Sequence, residues 1–224
     1  MLRIFSSLTL TFQFDISGST LRSTVYELKD DGCKPIDFEM SCGPVGSHID
    51  HVFANIMEQV FGRQFIDKLK MESFDTWQDV TTAFTEKKHA TKRDTPGSVK
   101  INLSPKFRDT FETAEQKSIN DAVKRARING LKYIAPNLWV SADTIRSCYK
   151  RINDFIIEQI KNNLSQRKDI KRLYLIGGFF ESDIVSYVVM EAISDATVLI
   201  PVQPSKVASM FAIMSALEEP VSGE

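Results

Sequence analysis

The sequence predicts an α/β fold in which helices pack on a sheet and a more polar segment is inserted between the two halves of that layer. Three observations carry this prediction. Residues 8–14 alternate apolar and polar, and two further short strand-like runs follow by Met40. From Ser141 onward helical and strand patterns take turns, the rhythm of helices laid on a sheet. Between them, residues 63–139 are more polar and mix short helical and strand signals.

The opening strands are residues 8–14, 23–28 and 36–40, with Asp30-Asp31-Gly32 turning the chain before the third. The turn between the first two, Asp15-Ile16-Ser17-Gly18-Ser19-Thr20, is rich in glycine and small hydroxyl residues. Such a turn can present N–H and O–H donors to a phosphate, and an ordinary hairpin needs the same residues for its backbone angles. A second glycine-marked turn holds Gly43 and Gly46 and leads into a helix with the apolar stripe Val52, Phe53, Ile56, Met57, Val60 and Phe61, stopped by Gly62. Ser47 and Asp50 have capping-box spacing, with Asp where Glu or Gln is preferred. His48 and His51 lie three apart with no third ligand, so they read as polar residues at a helix start rather than a metal pair.

In the middle, residues 77–92 read as a helix, and Val99, Ile101 and Leu103 alternate as a strand closed by Pro105. Thr113-Ala114-Glu115-Gln116 has the capping-box pattern ahead of a helix over 117–128, and 131–134 is a short strand stopped by Pro136. Ser141 caps a helix with the stripe Ile145, Tyr149, Ile152, Phe155, Ile156, Ile160 and Leu164. The run 173–176 then breaks on Gly177-Gly178 and continues at helical spacing to Met190, which reads as strand, tight turn, helix. Without a Cβ, two glycines let the backbone approach a flat or phosphorylated ligand, and the helix N-terminus beyond them offers N–H groups. An unliganded, well-packed turn has the same pattern. Residues 197–200 form a last strand ended by Pro201, and 205–217 a last helix.

At 224 residues the chain suits one large domain or two small ones. With 42% hydrophobic residues, 25% charged and a net charge of −1, it belongs with ordinary soluble globular proteins, and nothing in that balance favours a nucleic-acid or anionic-membrane partner. The basic runs Lys87-Lys88-His89 and Lys124-Arg125-Ala126-Arg127 read as solvated helix faces. Three cysteines at no metal-ligand spacing point to a reducing compartment. No apolar run approaches the ~18 residues of a membrane span, and the expected location is cytoplasmic.

Four features occur in a telling order: a strand ending in Asp and a Gly/Ser/Thr turn, a Gly-x-x-Gly turn opening a helix, a Trp-then-Phe-x-x-Lys-Lys helix, and a late Gly-Gly-Phe-x-Glu-Ser. In this the sequence resembles the second lobe of the ATPase domain of the 70-kDa heat-shock chaperones, and among them the divergent heat shock 70 kDa protein 12 family, over roughly residues 10–217. The resemblance implies an actin-like (ribonuclease H-like) ATPase lobe, with a base subdomain over about 8–42 and 141–217 and an inserted α+β subdomain over about 43–140. It also implies ATP or ADP with Mg²⁺ in a cleft between two lobes.

Carried over position by position, the resemblance places Gly177 and Gly178 against the ribose and α-phosphate, and Glu181 over the adenine. Lys88 and His89 would reach the ribose, although Thr85 stands where many relatives keep Glu. Gly43 and Gly46 would close on the sugar and phosphates. Ser17, Gly18, Ser19 and Thr20 would cradle the β- and γ-phosphates, with Asp15 as the catalytic carboxylate that orients Mg²⁺ and its waters. The family loop Asp-x-Gly-Gly-Gly-Thr-x-Asp reads here Asp15-Ile16-Ser17-Gly18-Ser19-Thr20-Leu21-Arg22, so two glycines have gained a Cβ and a carboxylate has become a cation. Phe211 stands where the family usually has glycine. No first-lobe phosphate loop precedes Leu10 and no substrate-binding sandwich follows the last helix. The expectation is therefore an ATP/ADP-binding half that does not hydrolyse ATP or refold peptides on its own, with the missing first lobe or another protein as partner. The alternative is a degenerate pseudo-ATPase interaction module, and a sugar or acyl kinase of the same superfold ranks last.

Overall fold

The computed structural model describes residues 9–17, 20–29, 32–43 and 46–207. The opening is the expected meander, β1 (Thr9–Ser17), β2 (Thr20–Lys29) and β3 (Gly32–Cys42), each strand running past its alternating core. Alternation in β1 buries Leu10, Phe12, Phe14 and Ile16, and in β2 Leu21 and Val25. Antiparallel β1–β2 pairing continues to Ser17↔Thr20, so only Gly18 and Ser19, outside the described residues, separate the two strands.

The chain divides into two compact units, one of the described residues up to Ser47 together with those from Arg151 on, the other His48–Lys150. In the first, the meander is joined by β7 (Arg172–Ile176) and β8 (Thr197–Leu199) in a five-stranded sheet of order β3-β2-β1-β7-β8. β7 lies parallel to β1 and β8 parallel to β7. The α/β class is borne out. The last helix is described only over 204–207, and Phe211 lies outside the described residues.

The second unit holds more regular structure than the mixed short signals of residues 63–139 predict. After α1 (Gly46–Phe61), Gly62 turns the chain at φ 90° straight into α2 (Arg63–Glu72), followed by α3 (Phe74–Ala90). In α2 the stripe Phe65, Ile66 and Leu69 is buried, while Arg63–Asp67 and Lys68–Glu72 pair on the exposed side. That charge density masks a short stripe in the sequence. β4 (Ser98–Asn102) is present as expected, but Pro105 opens a helix rather than closing a strand. It is the first residue of α4 (Pro105–Glu115), where its missing N–H costs nothing, and Ser104 Oγ caps the helix by accepting from Phe107 N at 3.2 Å.

The capping box expected at Thr113 is not one, because α4 runs through it to Gln116 at φ 50°. The real cap is Ser118, whose Oγ accepts from Asp121 N at 3.1 Å to start α5 (Ile119–Ala126). β5 (Leu131–Ile134) pairs with an unanticipated strand, β6 (Asn137–Ser141), giving a three-stranded sheet β4-β6-β5. Edge-to-face contacts of Phe61 and Phe65 with Phe107 and Phe111, at 5.0–5.7 Å between centroids, tie α1 and α2 to α4.

Ser141 caps its helix as expected, with Oγ accepting from Thr144 N at 3.1 Å. The long stripe beyond it is shared by two helices, α6 (Ala142–Cys148) and α7 (Lys150–Gln166), that part at Tyr149. Cys148 is a free thiol, and burial pushes its pKa up to about 11, which leaves it protonated and unreactive at neutral pH. Among the described residues no helix is long and apolar enough to cross a membrane.

Candidate functional site

At the end of β7 the chain makes the turn that the glycine pair foretells. Gly177 has φ 95°, its N–H donates to Pro204 O at 2.9 Å, and its carbonyl accepts from Phe180 N at 3.2 Å. A Cβ at Gly177 would run into the Ile16 carbonyl oxygen and Asp15 Oδ1 of β1. Glycine is thus required twice over, by backbone angle and by space. Gly178 is different. Among the described residues a Cβ there would meet only Ser205 Cβ at 3.9 Å, an ordinary contact, so those residues leave this position open.

A 3₁₀ turn, Gly178–Glu181, carries the chain to Ser182 and into α8 (Asp183–Ala192), whose first turn takes no cap from the Ser182 side chain. Glu181 Oε1 accepts a hydrogen bond from the Ser205 hydroxyl. The expected adenine-side carboxylate is therefore tied to the segment that follows β8.

Asp15 lies beside this turn, paired in parallel register with Ile176 and in antiparallel register with Arg22. Its Oδ1 is sealed from solvent with no hydrogen-bond partner among the described residues, while Arg22 is exposed. Burial holds the Asp15 carboxyl above its ordinary value of 3.8, and the Arg22 charge works in the opposite sense. Ser17 and Thr20 are the terminal pair of the hairpin, and Gly18 and Ser19 lie outside the described residues.

Gly43, also in this unit, faces the Phe155 ring of α7, which a Cβ would overlap. Its glycine makes room for an aromatic side chain, a sufficient reason for it within the fold. Gly46 is the first residue of α1, so Ser47 already lies inside the helix. Asp50 is not the second half of a capping box, because its Oδ1 accepts from Lys88 Nζ at 2.6 Å.

Lys88 and His89 belong to the second unit, on α3. Lys88 has 8% of its side chain exposed, paired with Asp50 and 6.0 Å from the Phe84 ring centroid, and its carbonyl accepts from the Tyr149 hydroxyl at 3.3 Å. Its ammonium is engaged inside the protein, which corrects the reading of Lys87-Lys88-His89 as a wholly solvated helix face. His89, the next residue on the helix, is exposed. Of the partners that complete these positions, Arg22 is deducible from sequence, since a two-residue hairpin sets Ser17 opposite Thr20 and hence Asp15 opposite Arg22. Asp50, Phe155 and Ser205 carry no such signal.

A magnesium ion held by protein groups does not fit these residues. Mg²⁺ asks for oxygen ligands in octahedral array, and Asp15 has one oxygen sealed and a cation across the strand. Among the described residues no group of three or more His, Cys, Asp or Glu is placed to hold a metal.

No family model matches the chain. Heat shock 70 kDa protein 12A of Homo sapiens is 27% identical over 194 residues, covering 84% of this chain and 29% of that protein, and its Mus musculus counterpart gives the same figures. Heat shock 70 kDa protein 12B of Homo sapiens is 27% identical over 184 residues, 80% of this chain and 27% of that protein. The chain is heat shock 70 kDa protein 12-like. The resemblance carried by the order of the motifs is borne out, and the chain spans under a third of the length of these curated relatives. The heat shock 70 kDa protein 12 likeness runs over most of the chain and so covers both units.

The two glycines separate by mutation. Gly177→Ala forces a left-handed alanine into the β1 backbone and should cost at least about 2 kcal/mol in thermal or urea unfolding, whereas Gly178→Ala should stay within about 0.5 kcal/mol of wild type. Asp15 gives a pH signature. Because its folded-state pKa is raised, its ionisation costs stability, which is lost as pH rises from 3.8 through the folded value. Asp15→Asn should therefore melt above wild type at pH 7, with the two curves converging below pH 3.8.

Proposed function

We propose that this chain is the ATP- or ADP-binding second lobe of an Hsp70-like ATPase domain, an actin-like (ribonuclease H-like) base unit carrying an inserted α+β unit. The observation that carries the reading is the Gly177-Gly178 turn at the end of β7, pressed against the end of β1 two residues before its hairpin. It supports a nucleotide because Gly178 lacks a side chain that the described residues would have tolerated, which leaves its exposed backbone next to the start of α8, where the Ser182 side chain makes no cap. The five-stranded mixed sheet is compatible with such a lobe, and the likeness to heat shock 70 kDa protein 12A and 12B agrees with it.

In this reading Gly177 and Gly178 meet the ribose and α-phosphate, the hairpin of Ser17, Gly18, Ser19 and Thr20 meets the outer phosphates, and Glu181, positioned by Ser205, lies on the adenine side. The free buried thiol of Cys148 suits a reducing, cytoplasmic setting. Hydrolysis by this chain alone is not proposed, since phosphoryl transfer needs charge stabilisation around the whole γ-phosphate. The protein partner proposed is the other half of such a cleft.

A second reading, a pseudo-ATPase interaction module without nucleotide, is favoured by Gly43 and Lys88, for which packing against Phe155 and pairing with Asp50 are sufficient reasons within the fold. Calorimetric titration with ADP separates the two. The nucleotide reading expects saturable binding at one site, weakened at least tenfold by Gly178→Ala while the ligand-free melting temperature stays unchanged. The absence of any heat from wild-type protein overturns it in favour of the interaction module.

A further inference from the structure

We propose that Arg22 makes this nucleotide site independent of magnesium: its guanidinium takes the phosphate charge that a metal ion would otherwise carry, and the ligand bound is the metal-free nucleotide. The inference rests on the nucleotide reading and concerns which ionic form of the nucleotide that site accepts.

The hairpin register fixes the geometry. Ser17↔Thr20 closes the β1–β2 pair, Ile16↔Leu21 follows, and Asp15↔Arg22 comes next, so Arg22 stands directly across from the one carboxylate on that stretch of β1. Arg22 is exposed at the mouth of the hairpin, where the outer phosphates would lie. A guanidinium offers N–H donors in a planar fork that matches two phosphate oxygens, and it stays charged at any working pH.

The carboxylate side of the site is correspondingly weak. Asp15 Oδ1 is sealed beneath Gly177 with no donor among the described residues, which leaves at most the other oxygen to face a ligand. Glu181, across the glycine turn, is bonded to Ser205. A hydrated divalent cation set between a half-sealed carboxylate and a guanidinium gains one oxygen and meets one positive charge. A phosphate in the same place meets that charge as a partner. The arrangement therefore selects the anion over its metal complex.

If Arg22 served only to neutralise Asp15, its loss would lower stability and leave ligand affinity alone. Calorimetry with ADP on the full chain, run once in EDTA and once in excess MgCl₂, distinguishes these roles. Wild-type protein is expected to bind ADP at least as tightly in EDTA as in MgCl₂, and R22Q to lose at least tenfold in affinity in EDTA. R22D, which restores a carboxylate, is expected to bind weakly in EDTA and to regain affinity when MgCl₂ is added. Wild-type affinity that falls threefold or more when EDTA replaces MgCl₂ overturns the inference, and so does R22Q protein that melts lower yet binds as wild type does. Should R22D fail to fold, wild type and R22Q decide the matter. An absence of ADP binding in both buffers is a different result, which overturns the nucleotide reading and this inference together.

Discussion

The contact on which the candidate site depends is the one between Gly177 and the end of β1. Parallel pairing of β1 with β7 sets Asp15 beside Ile176, so the next residue must leave the sheet hard against the Ile16 carbonyl and the Asp15 carboxylate. Only a residue without a Cβ, at a positive φ, makes that exit. Everything downstream inherits its direction: the 3₁₀ turn, the Glu181–Ser205 bond, and the start of α8. The same contact seals one oxygen of Asp15, so the packing that builds the turn also removes a ligand atom from the site.

The second unit shows a different economy. Its helices are bound by aromatic rings, Phe53 stacked on Phe84 at 3.9 Å and the four-ring cluster of Phe61, Phe65, Phe107 and Phe111. Within that apolar setting the Lys88 ammonium is buried and needs a counter-charge, which Asp50 provides. Removing a buried lysine from its partner is costly, so any ligand that drew on Lys88 would first have to replace that bond. His89 is exposed and has no such constraint.

What the sequence made legible was periodic. The meander, the apolar stripe over 145–164, and the strand-glycine-helix at 173–190 are strong patterns, and all appear. α2 escaped because charge outnumbers its three buried residues, and β6 because a five-residue strand beside a proline has too few alternations to count. Pro105 misled because the same residue that ends a strand also begins a helix, and only the Ser104 cap distinguishes the two. In the site, glycine positions could be read but not their causes. Gly43 answers to Phe155, 112 positions away in the chain, a reason no local spacing encodes. Arg22 was visible as a departure from the family loop, and its place opposite Asp15 follows once a two-residue hairpin joins Ser17 to Thr20.

The central claim is that a nucleotide lies against the Gly177-Gly178 turn and the β1–β2 hairpin. Two-dimensional ¹H–¹⁵N NMR of the chain titrated with ADP tests it at residue level. The account predicts saturable shifts of the Gly177, Gly178 and Arg22 amide signals that move together. Saturable ADP binding that leaves those three amides unmoved would contradict it.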